Sequence, residues 1–135
     1  MMLQNKIHHV DAIEASKIIQ EAWSSTSLHL VELQGKEIQS WVDYISRIEN
    51  AFKFPTKCED IMDRYFDWIR DLEWLGKDGY VLIIHDFKSF LKLDLPLKKM
   101  IIDDYAEIIL PWWQEDVEKY VGNGKAKPFN IYLID

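Results

Sequence analysis

The amino-acid sequence predicts an α/β fold in which a small three-stranded parallel sheet is packed by helices, with an extra helix at the N-terminus. Three short segments have the composition of strands: 28–33, 80–85 and 129–134. Helical patterns fill the stretches between them, and helical crossovers between consecutive strands make neighbouring strands parallel. The chain has 135 residues, of which 48% are hydrophobic, so it fits one domain with its own core.

The first 27 residues are predicted to form a helical extension, and residues 28–135 to form the main domain. Asp11 is followed three residues later by Glu14, which is typical of the start of a helix. Apolar residues then recur at helical spacing up to residue 23. The serine and threonine residues at 24–27 end this pattern.

Each predicted strand has its own signature. In the segment 28–33 (LHLVEL) leucines alternate with polar neighbours, and Gly35 ends the segment. The segment 80–85 (YVLIIH) is continuously apolar, as expected of a strand that is covered on both faces. The segment 129–134 (FNIYLI) follows turn-forming residues at 122–124 and is predicted to be the last strand.

Two helices are predicted between the first two strands. Ser40 is suited to cap the first of them, and Pro55 is expected to stop it. Thr56 and Glu59 have the spacing of a capping box, which predicts that the next helix runs from there to about Leu72.

A further helical region is predicted before the last strand. Apolar residues at helical spacing indicate a helix over 97–110. Pro111 either kinks this helix or begins a new one that continues to about Val121.

The charge and composition exclude several classes of function. The chain carries 16 lysines and arginines against 23 aspartates and glutamates, a net charge of −7, which disfavours direct nucleic-acid binding and permits a basic partner. No apolar run is long enough to span a bilayer, and the N-terminus lacks the apolar core of a signal peptide, so a cytoplasmic protein is expected. The single cysteine excludes an intrachain disulfide and a multi-cysteine zinc site.

The sequence lacks the common motifs for catalysis, metal binding and phosphate binding, so a protein without enzymatic activity, cofactor or metal is expected. One alternative is a small α/β enzyme that uses Cys58 near a helix start, or His85 and Asp86 after a strand. Another alternative is an adaptor protein that presents exposed aromatic residues such as Trp112 and Trp113.

The most informative segment is 59–73 (EDIMDRYFDWIRDLE), which holds six acidic and two basic residues. Four of the acids are spaced by four residues, and each such step advances about 40° around a helix, so they share an arc of about 120° into which Asp60 also projects. These four acids are Glu59, Asp63, Asp67 and Asp71. Repulsion along the column costs on the order of 1 kcal/mol in total. A stable helix with this face suggests a cationic ligand, and an ordinary solvated face is the alternative that composition alone favours.

Several segments resemble the barstar family, the small inhibitors of barnase-type ribonucleases. Residues 34–38 (QGKEI) are similar to the N-G-E-x-I segment at the end of the family's first strand, and 38–55 aligns without a gap to its first helix and closing proline. Residues 71–75 (DLEWL) resemble a D-L-x-W-L segment of the wider family. The strand at 81–84, followed by Phe87, is similar to the second strand, and the resemblance covers about 28–135.

The resemblance implies inhibition by occlusion, in which an acidic helix enters the basic active site of a ribonuclease. The ungapped alignment places Asp67 and Asp63 on the two aspartates that the family inserts, with Asp67 as the central anion, and Phe66 replaces a tryptophan between them. Further expected contacts are Glu59, Asp60, Asp71 and Glu115, the last as the nearest equivalent of a glutamate in the family's final helix. The implied partner is a barnase-type or other toxin ribonuclease. The chain would be a bacterial immunity protein, monomeric when free, without direct contact to nucleic acid or membrane.

Overall fold

The computed structural model describes residues 4–59 and 61–135, and the sheet that it describes has four parallel strands. The strands are β1 (Ile7–Val10), β2 (Leu28–Gln34), β3 (Gly79–His85) and β4 (Phe129–Ile134). Their order across the sheet is β1-β4-β3-β2, so β3 and β4 are central and β1 and β2 lie at the edges. In the register, Leu82 of β3 lies between Val31 of β2 and Ile131 of β4.

Helices cover both faces of this sheet. They are α1 (Ala12–Ser24), α2 (Trp41–Ala51), α3 (Met62–Ile69), α4 (Leu95–Asp104) and α5 (Val117–Tyr120). Short 3₁₀ turns occur at Gly35–Glu37, Glu73–Leu75 and Phe87–Ser89. None of the helices in the described part of the chain has the length and apolar character that a bilayer crossing requires.

The two faces of the sheet carry separate apolar clusters. On one face, Ala15 and Ala22 of α1 pack with Val81, Ile83 and Ile134. On the other face, α2, α3 and the last helical region enclose the larger core, which includes Ile48, Tyr65 and Leu82. Helix α1 therefore lies on the sheet face opposite α3 and leaves α3 uncovered.

The parallel α/β fold, the extra N-terminal helix and the three predicted strands are confirmed, but the count of three strands is wrong. The added strand, β1, has the sequence IHHV, and no alternation of apolar and polar residues marks it. Its pairing depends on residues that are distant in the sequence. The His8 ring stacks on the Tyr132 ring at a centroid distance of 4.6 Å and forms a hydrogen bond with the Asn130 side chain. The division into an extension at 1–27 and a domain at 28–135 stays a prediction.

Local capping worked as predicted for two helices. The Asp11 carboxylate accepts a hydrogen bond from the Glu14 backbone N–H at 2.8 Å, and the Ser40 hydroxyl accepts one from the Asp43 backbone N–H at 3.1 Å. At the end of β2, an added Cβ on Gly35 would overlap the backbone carbonyls of His85 and Asp86, so only glycine fits there.

The predicted boundaries of α3 are wrong at both ends. The helix begins at Met62, whereas Glu59 has a left-handed backbone with φ of 51° and is not helical. Thr56 is not the N-cap residue, a position that Ile61 occupies, and its hydroxyl accepts a hydrogen bond from Trp68 Nε1 at 3.1 Å. The helix ends at Ile69, so Asp71 lies beyond it.

Pro111 interrupts no helix in the structure. The chain is helical from 95 to 120, and two π turns lie on either side of the proline, at Tyr105–Ile109 and Trp112–Asp116. Proline has no N–H to donate to the preceding turn, and π turns are a common adjustment where the regular helical hydrogen bonds are interrupted. The predicted helix over 97–110 and its continuation are thus one helical segment.

Candidate functional site

Helix α3 presents two carboxylates to solvent. Tyr65 and Ile69 are buried on its inner side, while Asp63 and Asp67 are exposed on its outer side. The Asp67 side chain is 75% exposed. The amphipathic pattern of the segment therefore directs these two acids away from the core.

A shallow depression of about 470 Å³ lies between α3 and the first π turn. We call it the α3 depression, and the residues that line it are Asp63, Phe66, Asp67, Arg70 and Ile108. Phe66 and Ile108 give it an apolar part, and the two aspartates give it negative charge. An open surface of this kind suits a projecting cationic side chain of another protein better than an enclosed small molecule.

Among the described residues, the positive charges near the α3 depression pair only at long distance with Asp67, through Arg70, and not with Asp63. Arg70 Nη2 lies 3.9 Å from Asp67 Oδ1, while its Nε donates to the Phe66 carbonyl and its guanidinium faces the Trp112 ring at 5.2 Å. Arg64 donates to the backbone carbonyl of Lys57 at 3.0 Å. Within residues 4–59 and 61–135, Asp63 takes part in no ion pair.

Two tryptophans form hydrogen bonds with the C-terminal end of α3, a role that the sequence did not indicate. Trp113 Nε1 donates to the Ile69 carbonyl at 3.0 Å, and Trp112 Nε1 donates to the Arg70 carbonyl at 2.8 Å. These bonds satisfy carbonyls that the end of a helix leaves free. Trp113 is buried and Trp112 is half-buried, which disfavours the predicted adaptor role for this pair.

The other residues that are predicted to contact the partner are less clustered than the sequence suggested. Glu59 and Asp71 are exposed but lie outside α3, so the four-residue acidic column does not form. Asp60 lies outside the described residues. Glu115 is exposed in the second π turn and has the Lys119 ammonium 3.6 Å from its carboxylate.

One residue from the last helical segment, Ile108, joins the site without any sequence signal that identified it. Ile108, which is 40% exposed, lines the α3 depression from the first π turn. Asp104 precedes that turn, and burial, followed by the charges of Asp103 and Glu107, raises the pKa of its carboxyl above the usual range. Only the long-range packing of this segment against α3 brings Ile108 near the site.

The residues of the predicted enzyme alternative are not assembled. Cys58 is buried in the core, and burial, together with the nearby Glu49 carboxylate, raises the pKa of its thiol to about 11, with Arg64 opposing. A protonated, enclosed thiol is a poor nucleophile. His85 instead lies at the end of β3 with its Nε2 2.8 Å from a Glu32 carboxylate oxygen. Among the described residues, no group of three potential metal ligands occurs.

The fold and the site together define a small parallel α/β protein in which a short helix exposes two carboxylates. A family model described as "Barstar (barnase inhibitor)" matches residues 28–133. No curated protein matches the chain. Because the family match covers most of the sequence, the chain belongs to the barstar family. Members of this family are inhibitors of ribonucleases rather than enzymes.

Proposed function

We propose that this chain inhibits a basic, barnase-type ribonuclease by placing α3 in the active site of that enzyme. The observation that carries the proposal is the pair of exposed carboxylates, Asp63 and Asp67, on a short helix of a chain that belongs to a family of barnase inhibitors. A ribonuclease active site binds RNA phosphates with lysine and arginine side chains. Carboxylates at similar positions compete for the same cations.

Asp67 is proposed as the central anion and Asp63 as its neighbour. The adjacent apolar surface of Phe66 and Ile108 excludes water when a partner covers it, and ion pairs strengthen as water is removed. The other acids predicted to contact the partner, Glu59, Asp60, Asp71 and Glu115, contribute to the attraction that speeds the encounter with a basic protein.

The biological role proposed is that of an immunity protein in the bacterial cytoplasm, where it protects the producing cell from a toxin ribonuclease. The net charge of −7 supports a basic protein partner over direct contact with nucleic acid or an anionic membrane surface. We propose that the free protein is a monomer without enzymatic activity.

Replacement of Asp67 by alanine tests this proposal. Removing one partner of a desolvated ion pair typically costs about 3 kcal/mol or more, so inhibition of barnase should weaken roughly a hundredfold or more. The measurement is RNA cleavage by barnase at increasing concentrations of the wild-type chain and the variant. The matched control is Glu21→Ala, which removes an exposed acid from α1 on the opposite face of the sheet. Undiminished inhibition by a folded Asp67→Ala variant, or absence of inhibition by the wild-type chain, contradicts the proposal.

A further inference from the structure

Three buried tyrosines join α3 to two other elements. Tyr44 lies in α2, Tyr65 in α3, and Tyr105 is the first residue of the first π turn. The Tyr44 hydroxyl oxygen is 2.7 Å from that of Tyr65 and 2.6 Å from that of Tyr105. The three hydroxyls therefore form one continuous network, and all three side chains are buried.

This network supplies a directional constraint that apolar packing alone does not. Phenylalanine has nearly the same shape and would bury no polar atom, whereas a buried hydroxyl is costly unless it is hydrogen-bonded. Hydrogen bonds weaken steeply when their angle departs from linearity, while apolar contacts tolerate small rotations. The network therefore fixes the rotation of α3 about its own axis relative to α2 and the π turn.

The short length of α3 makes its orientation depend on constraints of this kind. The helix has eight residues, and no side chain among the described residues caps its N-terminus. Isolated helices of this length are unstable in water, so the orientation of α3 depends on its tertiary contacts. Asp63 and Asp67 are each two residues from Tyr65, which places them on the opposite side of the helix. Any rotation of α3 about its own axis that breaks the Tyr65 hydrogen bond also changes the direction in which the Asp63 and Asp67 carboxylates point.

The first π turn connects this network to the α3 depression. Tyr105 and Ile109 at its two ends are buried, whereas Ile108 between them is exposed and lines the depression. The same turn therefore holds Tyr105 in the core and presents an apolar side chain beside Asp63 and Asp67.

We propose that Tyr44, Tyr65 and Tyr105 are positioning residues that fix the rotation of α3 and hold Asp63 and Asp67 in their binding orientation before the partner arrives. This inference rests on the proposed function, since it concerns the same carboxylates. Preorganised groups lose less freedom on binding and so dissociate more slowly, while the association rate follows the charges, which the tyrosines do not change.

The variant Tyr65→Phe tests the inference, because it removes one hydroxyl and leaves the Tyr44–Tyr105 hydrogen bond intact. The control is Tyr132→Phe, which changes a half-buried tyrosine on the sheet face covered by α1. Association and dissociation rate constants are measured against barnase. For Tyr65→Phe the dissociation rate constant should rise about five- to thirtyfold, and the association rate constant should stay within about twofold. Both constants should be unchanged for Tyr132→Phe.

Hydrogen exchange of the free protein separates positioning from general stability and needs no partner. Faster amide exchange in Tyr65→Phe that is confined to residues 62–69 supports the inference. An equal increase in β3, or a dissociation rate constant that matches the wild-type value, overturns it. Failure of the proposed function has a different signature, because the wild-type chain itself would then not inhibit barnase.

Discussion

Arg70 carries a charge that opposes the two carboxylates of the α3 depression. Its guanidinium is held over Trp112 and near Asp67, and among the described residues it is the only basic one that lines the depression. Surface ion pairs of this kind contribute about 0–1 kcal/mol, so Arg70 shields Asp67 only weakly. Arg70 therefore repels a cationic partner that approaches the α3 depression.

We predict that Arg70→Gln speeds association with barnase at low salt by roughly two- to fivefold, because a positive charge next to Asp67 is removed. The measurement is the association rate constant by stopped-flow mixing at low and high salt. The control is Lys17→Gln, which changes the net charge equally but on α1. Slower association of Arg70→Gln would mean that Arg70 attracts or contacts the partner, contrary to this prediction.

At the scale of a single element, α3 shows how tertiary contacts decide where a helix lies. Its N-terminal side is set by the Trp68–Thr56 hydrogen bond and by the Cys58 N–H, which donates to Glu49 at 3.0 Å. Its C-terminal side is set by Trp112 and Trp113. The helix is thus defined more by the elements around it than by its own caps.

We predict that Trp113→Phe destabilises the protein by about 1–3 kcal/mol, because the buried Ile69 carbonyl loses its donor while most of the aromatic packing is kept. Urea unfolding followed by circular dichroism measures this change. Trp23→Phe on α1 is the control, since Trp23 is 79% exposed and its replacement should change stability little. Equal stabilities of the two variants would show that the hydrogen bond to Ile69 contributes nothing measurable.

The sequence predicted those elements whose signals are local. The alternation at 28–33, the apolar run at 80–85 and the caps at Asp11 and Ser40 depend on neighbouring residues, and the structure confirms them. The start of α3 could not be predicted, because the spacing of Thr56 and Glu59 matches a capping box while Glu59 has a left-handed backbone that no local pattern indicates.

The candidate site was predictable in part for the same reason. The aspartates of α3 and Phe66 follow from the acidic segment and from the resemblance to the barstar family. Ile108, the two tryptophans and the tyrosine network join α3 from residues far along the chain, and no local pattern indicates such contacts. The length of the acidic column was overestimated because a helical spacing was extended over residues that are not helical.

At the scale of the whole molecule, buried cysteine and tyrosine side chains with raised pKa values make the free energy of unfolding depend on pH in the alkaline range. Burial raises the pKa of Cys58 to about 11 and that of Tyr105 to about 12, in the latter case against the opposing effect of the Tyr44 and Tyr65 hydroxyls. Burial, followed by Tyr105, also raises the pKa values of Tyr44 and Tyr65, although the hydrogen bond to Tyr44 acts in the opposite direction on Tyr65. In each case the folded state binds the proton more tightly than the unfolded state does.

We therefore predict that the free energy of unfolding falls as the pH rises above about 9, where the unfolded cysteine and then the tyrosines lose their protons while the folded ones keep them. The contribution is complete below that pH and is lost progressively up to about 12. Urea unfolding at a series of pH values measures how steeply the free energy of unfolding falls with pH. In Cys58→Ala this fall should be less steep just above pH 9, where the cysteine contributes. A free energy of unfolding that is constant up to pH 11 contradicts this prediction.

The position of β4 has a consequence for how the molecule is made. This strand comes last among the described elements, yet it lies inside the sheet and is the only strand that pairs with β1. Asn5 adds to this closure, since its side chain accepts from the Phe129 N–H and donates to the Lys127 carbonyl. The native pairing of β1 therefore cannot form during translation before β4 has been synthesised. Completion of the sheet thus depends on a contact of high sequence separation, which is expected to slow folding.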